Sequence, residues 1–330
     1  MTTLERSTSL VSAAALGLLL SACGGGGGGS NTVIDPPVSN TAITSSNADT
    51  VAAATVSAAS SSASLGSMVS TLTFGAGPVA TVKTAARSAG TPPTAAAQQS
   101  ITQNCTNGGN VGITVNDANN SQTLDGGDSF TASFNACAEG TDTINGSISA
   151  TLGSATGSFQ SGTGHATFSV SLQNLNVAAA DGRYTAAGTL SLDLQQTSLT
   201  ASTLTLTATN LSTSEYSTGG QLRHSTTLPT ATLSLADDGS QTTLTLNQQV
   251  RVTSTAYTGA LAVTTEQAVL TRHAATDGYP DSGRLKVVSG KSVLKITYLG
   301  GDSARLDLDS DGDGVSETTR TVKLSDLEKL

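Results

Sequence analysis

Two short stretches set oxygen-bearing side chains at spacings that suit a hard cation. In the first, Asp117, Asn119, Ser121, Asp125 and Asp128 stand at positions 1, 3, 5, 9 and 12 of a twelve-residue frame. In the second, Asp309, Asp311 and Asp313 alternate, Gly314 follows at position 6, and Glu317 stands at position 9. Calcium takes six to eight oxygens, and a chain that doubles back with this spacing brings several of them to one point. The competing chemistry is local: Asp, Asn and Ser at a hairpin tip accept hydrogen bonds from backbone amides two or three residues on.

Both stretches resemble the calcium loops of EF-hand and dockerin modules, with departures. Gln122 takes the place of the glycine at position 6 of the first loop, Arg320 replaces the bidentate acid at position 12 of the second, and strand patterns rather than helices flank the first. Gly127-Asp128-Ser129-Phe130 resembles the nucleophile block of GDSL-type hydrolases, but no Asp-x-x-His follows near the carboxyl end, and Ser129 reads more simply as the start of a strand. His165, His224 and His273 are each isolated, with no zinc-ligand spacing around them. There is no Gly-x-Ser-x-Gly elbow, and Gly24 to Gly29 lack the Lys-Ser/Thr of a phosphate loop. We therefore expect no catalytic residues and no cofactor beyond a possible calcium ion.

The elements that would carry these loops follow from composition and period. Charged residues are 12% of the 330, aromatics 3%, and the net charge is −9 without a basic stripe. Such a chain does not bind nucleic acid non-specifically, because nothing in it displaces phosphate counterions. From about Val111 onward apolar residues recur every second position. Phe168-Val170-Leu172, Leu190-Leu192-Leu194, Leu204-Leu206, Leu233-Leu235, Leu244-Leu246 and Val250-Val252 are examples, with Thr, Ser, Gln and Asp between them. That period puts apolar side chains on one face of a sheet and hydroxyls on the other. Turn residues such as Asp181-Gly182, Gly219-Gly220, Asp237-Asp238-Gly239, Asp277-Gly278 and Gly300-Gly301 divide the runs into about a dozen strands. We expect a mainly all-β fold, a curved antiparallel meander with an N-terminal helix on its concave side, or else a two-layer β-sandwich. The helix is expected over 47–70, capped by Asn47 or Asp49, with Val51, Ala54, Ala58 and Leu65 on one face.

Ahead of the sheet lies an address. Val11 to Leu20 form an apolar run too short to cross a bilayer, followed by Leu20-Ser21-Ala22-Cys23 and then six glycines. The tetrapeptide resembles the lipobox of bacterial lipoprotein signal peptides. The resemblance implies cleavage before Cys23, a diacylglycerol on its sulfur, and a membrane as partner; Gly24, in place of an inner-membrane-retaining Asp, implies the outer membrane, with the protein facing the periplasm or the cell surface. The leader departs from the pattern in having only Arg6, offset by Glu5. This divides the chain into a signal peptide (1–22), a lipid-anchored Gly/Ser/Pro tether (23–50), an Ala/Ser-rich helix and connection (51–100) and a β-rich domain (101–330).

If Cys23 carries lipid, Cys105 and Cys137 remain as a pair in an oxidising compartment, and a disulfide between them is expected. Asn104-Cys105 through Gly146-Ser147, and Tyr279-Pro280-Asp281-Ser282-Gly283-Arg284 through Asp313-Gly314, resemble uncharacterised lipoproteins of proteobacteria. The resemblance covers about half the chain and implies exported β-proteins with no reaction to carry over. The expected function is an envelope protein with a structural or interaction role. The alternative is a carrier or receptor for an apolar ligand held in a half-barrel.

Overall fold

The computed structural model describes residues 41–59, 97–121, 125–158, 161–180, 182–254, 256–273, 278–327 and 330. The signal peptide, Cys23, the glycine run and Leu65 lie outside them. The described residues form one antiparallel sheet of fourteen strands in simple meander order. The strands are β1 (Ala97–Asn104), β2 (Asn110–Asp117), β3 (Ser129–Glu139), β4 (Asp142–Ser158), β5 (Thr163–Ala179), β6 (Gly182–Gln196) and β7 (Ser202–Ser217). They continue with β8 (Leu222–Asp237), β9 (Gln241–Ser254), β10 (Thr258–Arg272), β11 (Ser282–Ser289), β12 (Ser292–Tyr298), β13 (Ala304–Asp309) and β14 (Thr318–Val322). The sheet is open, with β1 and β14 as its edges. A single curved layer is thus realised and the sandwich is not. β1 falls partly in the stretch read as connection: its residues are polar apart from Ala97 and Ile101, and an edge strand of that kind carries no alternation to detect.

Burial follows the alternation. β11, β12 and β13 bury every second residue without a break. Across the sheet, one in-register residue per strand forms a continuous inner row from β2 to β13. The row runs Val115, Phe130, Ala150, Val170, Leu190, Ala208, Ala231, Gln248, Val263, Val287, Leu294 and Leu308. Every member is buried, and every member but Gln248 is apolar. Cross-strand neighbours of this kind lie about 5 Å apart, so the row is one uninterrupted contact surface.

Strands of fifteen to seventeen residues such as β4, β5 and β6 would not hold one face inward over their full length if they ran regularly. A line of bulges crosses the sheet instead. Register shifts lie between Phe134 and Cys137, Asn145 and Ser147, Leu172 and Leu175, Ala187 and Thr189, and Thr227 and Thr230. The β10 shifts complete it. Bulges bend a strand and increase its twist. Two of them are built from a left-handed residue facing a glycine. Asn174 (φ 50°) sits against Gly146 and Asn210 (φ 51°) against Gly188. A Cβ on Gly188 would meet Leu211 Cα at 2.6 Å and Asn210 O at 2.7 Å.

Residues 48–59 form helix α1. Ala48, Val51, Ala52, Thr55, Ala58 and Ala59 recur at helical spacing and are buried, and all but Thr55 belong to the same apolar core cluster as the sheet. Thr55 returns its hydroxyl to Val51 O at 2.8 Å. Asn47 organises the turn ahead of the helix, accepting from Thr44 N at 2.8 Å; Asp49, in the first turn, pairs with Arg320 of β14 at 2.6 Å. The segment before α1 is pinned to the sheet: Ile43 N donates to Ser292 Oγ (2.7 Å), and Thr41 O accepts from Ser289 Oγ (2.8 Å) and Tyr257 OH (3.2 Å). After β14, helix α2 (Leu324–Leu327) buries Leu324 and Leu327.

Cys105 and Cys137 form a disulfide with 5.3 Å between Cα atoms. It joins the end of β1 to β3 and so straps three strands. Gly109 is required beside it, since a Cβ there would fall 1.9 Å from Ala136 O.

Two measurements test these features. Gly188→Ala (φ 137°) should lower unfolding free energy by about 2 kcal/mol or more, from backbone overlap added to an unfavourable φ, whereas Gly220→Ala, at a φ of 73° with nothing within 4 Å of the added Cβ, should cost about 1 kcal/mol; equal costs in urea titrations would remove the bulge argument. Reducing the disulfide, which closes a loop of about 33 residues, should cost roughly 3–4 kcal/mol in the same assay.

Candidate functional site

The two acidic loops lie at opposite ends of the strands, between β2 and β3 and between β13 and β14. In the first, the five singled-out residues interlock. Asp117 and Asn119 both accept from Ser121 N, at 3.0 and 2.9 Å. Asp125 accepts from Asn119 Nδ2 at 2.8 Å and from the Ser121 hydroxyl. Asp128, 2% exposed, takes Ala118 N on one oxygen (3.0 Å) and Asp125 N on the other (3.1 Å). Ser129 begins β3 beside it, paired with Asn116 and Thr151.

The second loop converges further. Asp309, Asp311, Asp313 and Glu317 each place a carboxylate oxygen within 4.8 Å of the others. Asp309 accepts from Gly312 N (2.6 Å) and Gly314 N (2.9 Å), one per oxygen. Asp313 N donates to Asp311 (3.1 Å) and Val315 N to Asp313 (2.8 Å). Glu317 accepts from Ser310 N (2.6 Å) and Ser310 Oγ (2.9 Å), which hold its carboxyl below the ordinary glutamate range. Arg320, at position 12, turns away to Asp49. These four carboxylates are the residues that could hold a hard cation; each oxygen already bound by an amide keeps a lone pair for it. A third group, Cys105, Cys137 and Glu139, has its sulfurs committed to the disulfide.

The three histidines stay apart. His165 meets Asp193 (2.9 Å) and His273 meets Asp237 (3.2 Å), both at exposed positions. His224 lies against Thr226 Oγ1 at 2.6 Å, and burial pulls its pKa down. It pairs in register with Glu215, which is 4% exposed and has Arg223 Nη1 at 3.8 Å.

Two polar groups on the inner face went unnoticed in the sequence. Glu215 is turned inward because the Asn210 bulge shifts the phase of β7. Gln248 had a visible signal: it stands in phase with Leu244, Leu246, Val250 and Val252, so it must share their face. It is 2% exposed, and neither Oε1 nor Nε2 has a hydrogen-bond partner.

The second loop supplies a pH test. Glu317 is lowered, so its Ser310 contacts are complete above the ordinary glutamate range and are lost as pH falls through the depressed folded value. The Ser310 amide shift, followed by NMR, should titrate below the ordinary glutamate range, and Glu317→Gln should abolish that titration; an amide indifferent to acid would contradict the geometry. Comparison with protein families, with curated proteins and with solved structures finds no match for this chain.

Proposed function

We propose that this chain is an envelope lipoprotein, held to the outer membrane through a lipid on Cys23, in which the sheet has a structural or interaction role rather than a catalytic one. The observation that carries this is Leu20-Ser21-Ala22-Cys23, placed after an apolar run and before Gly24 to Gly29. Two or more acyl chains on one residue anchor stably, at about 0.8 kcal/mol per buried methylene. The pinning of Thr41 and Ile43 at the Ser289–Ser292 turn supports an orientation. Only nineteen residues run from Cys23 to Thr41, so in this reading the end bearing that turn, the disulfide and the Asp309–Glu317 loop faces the lipid. In that loop calcium is the cation the donor set suits, as a clip on the β13–β14 connection.

A second reading, a carrier for an apolar ligand, is favoured by the inner row, whose apolar surface is interrupted by one unpartnered carboxamide. Metabolic palmitate labelling tests the first reading. Label should enter the wild-type chain and vanish in Cys23→Ser; label that persists in the variant, or an uncleaved leader on protein recovered from cytosol, would overturn it. Calorimetry showing no heat at millimolar calcium would remove the cation.

A further inference from the structure

We infer that Gln248 is the polar recognition point of an internal site for a lipid-like molecule carrying a neutral amide or undissociated carboxyl group. The inference rests on the carrier reading and gives its ligand a chemical class.

A buried carboxamide with no partner forfeits the hydrogen bonds it makes to water in the unfolded chain. Native folds avoid this, so an orphan of this kind calls for a missing partner. Gln248 is orphaned at both of its polar atoms, while it is 2% exposed. Its neighbours offer nothing. Ala231 and Val263 flank it in register, and Leu246 and Val250 precede and follow it on the same face. On one side the next two positions in the row are Ala231 and Ala208, so the side chains beside the amide are the shortest in that part of the row.

The atoms select the ligand. Oε1 accepts and Nε2 donates, side by side in one plane. A group presenting an adjacent donor and acceptor satisfies both at once, which an amide or a protonated carboxyl does and an ester or ether does not. An ionised carboxylate is disfavoured, since no cation stands among these apolar neighbours to offset its desolvation. The surrounding row takes the hydrocarbon part. Apolar walls with one placed polar group are the usual composition of a small-molecule site.

The test uses the full chain, its Gln248→Leu variant, and two probes: a dansyl-labelled undecanamide and the matching dansyl-labelled undecane. Leucine fits an apolar face and removes both orphaned atoms, so the ligand-free variant should melt about 2–4 °C higher. The amide probe should bind wild type and weaken at least tenfold in Gln248→Leu, while the hydrocarbon probe binds both alike. If both probes bind and the variant changes neither, Gln248 holds at most internal water; the inference falls and the carrier reading stands. If wild type binds neither probe, both fall together. A variant that melts below wild type would show that the carboxamide is already satisfied, which also overturns the inference.

Discussion

The structure depends on keeping one face of fourteen strands in the same phase. A sheet with apolar side chains at alternate positions is stable only if every strand turns the same parity inward, because a slip of one residue sends the whole set to solvent. Here the agreement extends from Val115 in β2 to Leu308 in β13. Few aromatic rings contribute. Phe130 is the one ring in the inner row, and apart from Gln248 the rest is Leu, Val and Ala, so the core is a broad layer of small contacts.

The bulge line makes that layer possible. Asn174 and Asn210 adopt left-handed backbone that asparagine tolerates better than most residues, and the opposing Gly146 and Gly188 leave room for it. Each bulge resets the parity of its strand, which is how Leu175 and Leu211 come inward again after a break in alternation. The same resetting carries Glu215 inside. A device that shapes the sheet thus also decides which polar groups meet the interior.

The N-terminal segment is joined to this scaffold by polar contacts at one end and apolar ones beyond. Thr41 and Ile43 meet hydroxyls of Ser289, Ser292 and Tyr257, and the small-residue face of α1 enters the core. Alanine at most of the buried positions of α1 lets a helix lie close to the strands without displacing their side chains. The Asp49–Arg320 pair ties the start of that helix to the last strand.

Much of this was legible in the residues themselves. Period-two runs from Val111 onward and the turn residues between them determined a one-faced antiparallel meander, because side-chain direction alternates along any strand. The α1 face at Val51, Ala54 and Ala58 follows from helical spacing, with Leu65 of the same expected face outside the described residues, and the Cys105–Cys137 pair follows from the compartment that the lipobox implies. Three features were decided only by the tertiary structure. Whether the sheet stays single or divides depends on long-range curvature set by the bulge line. Whether acidic side chains converge, as in Asp309 to Glu317, depends on where strand ends place a loop. Whether a polar residue such as Gln248 finds a partner depends on what lies across the interior, and no local pattern records that.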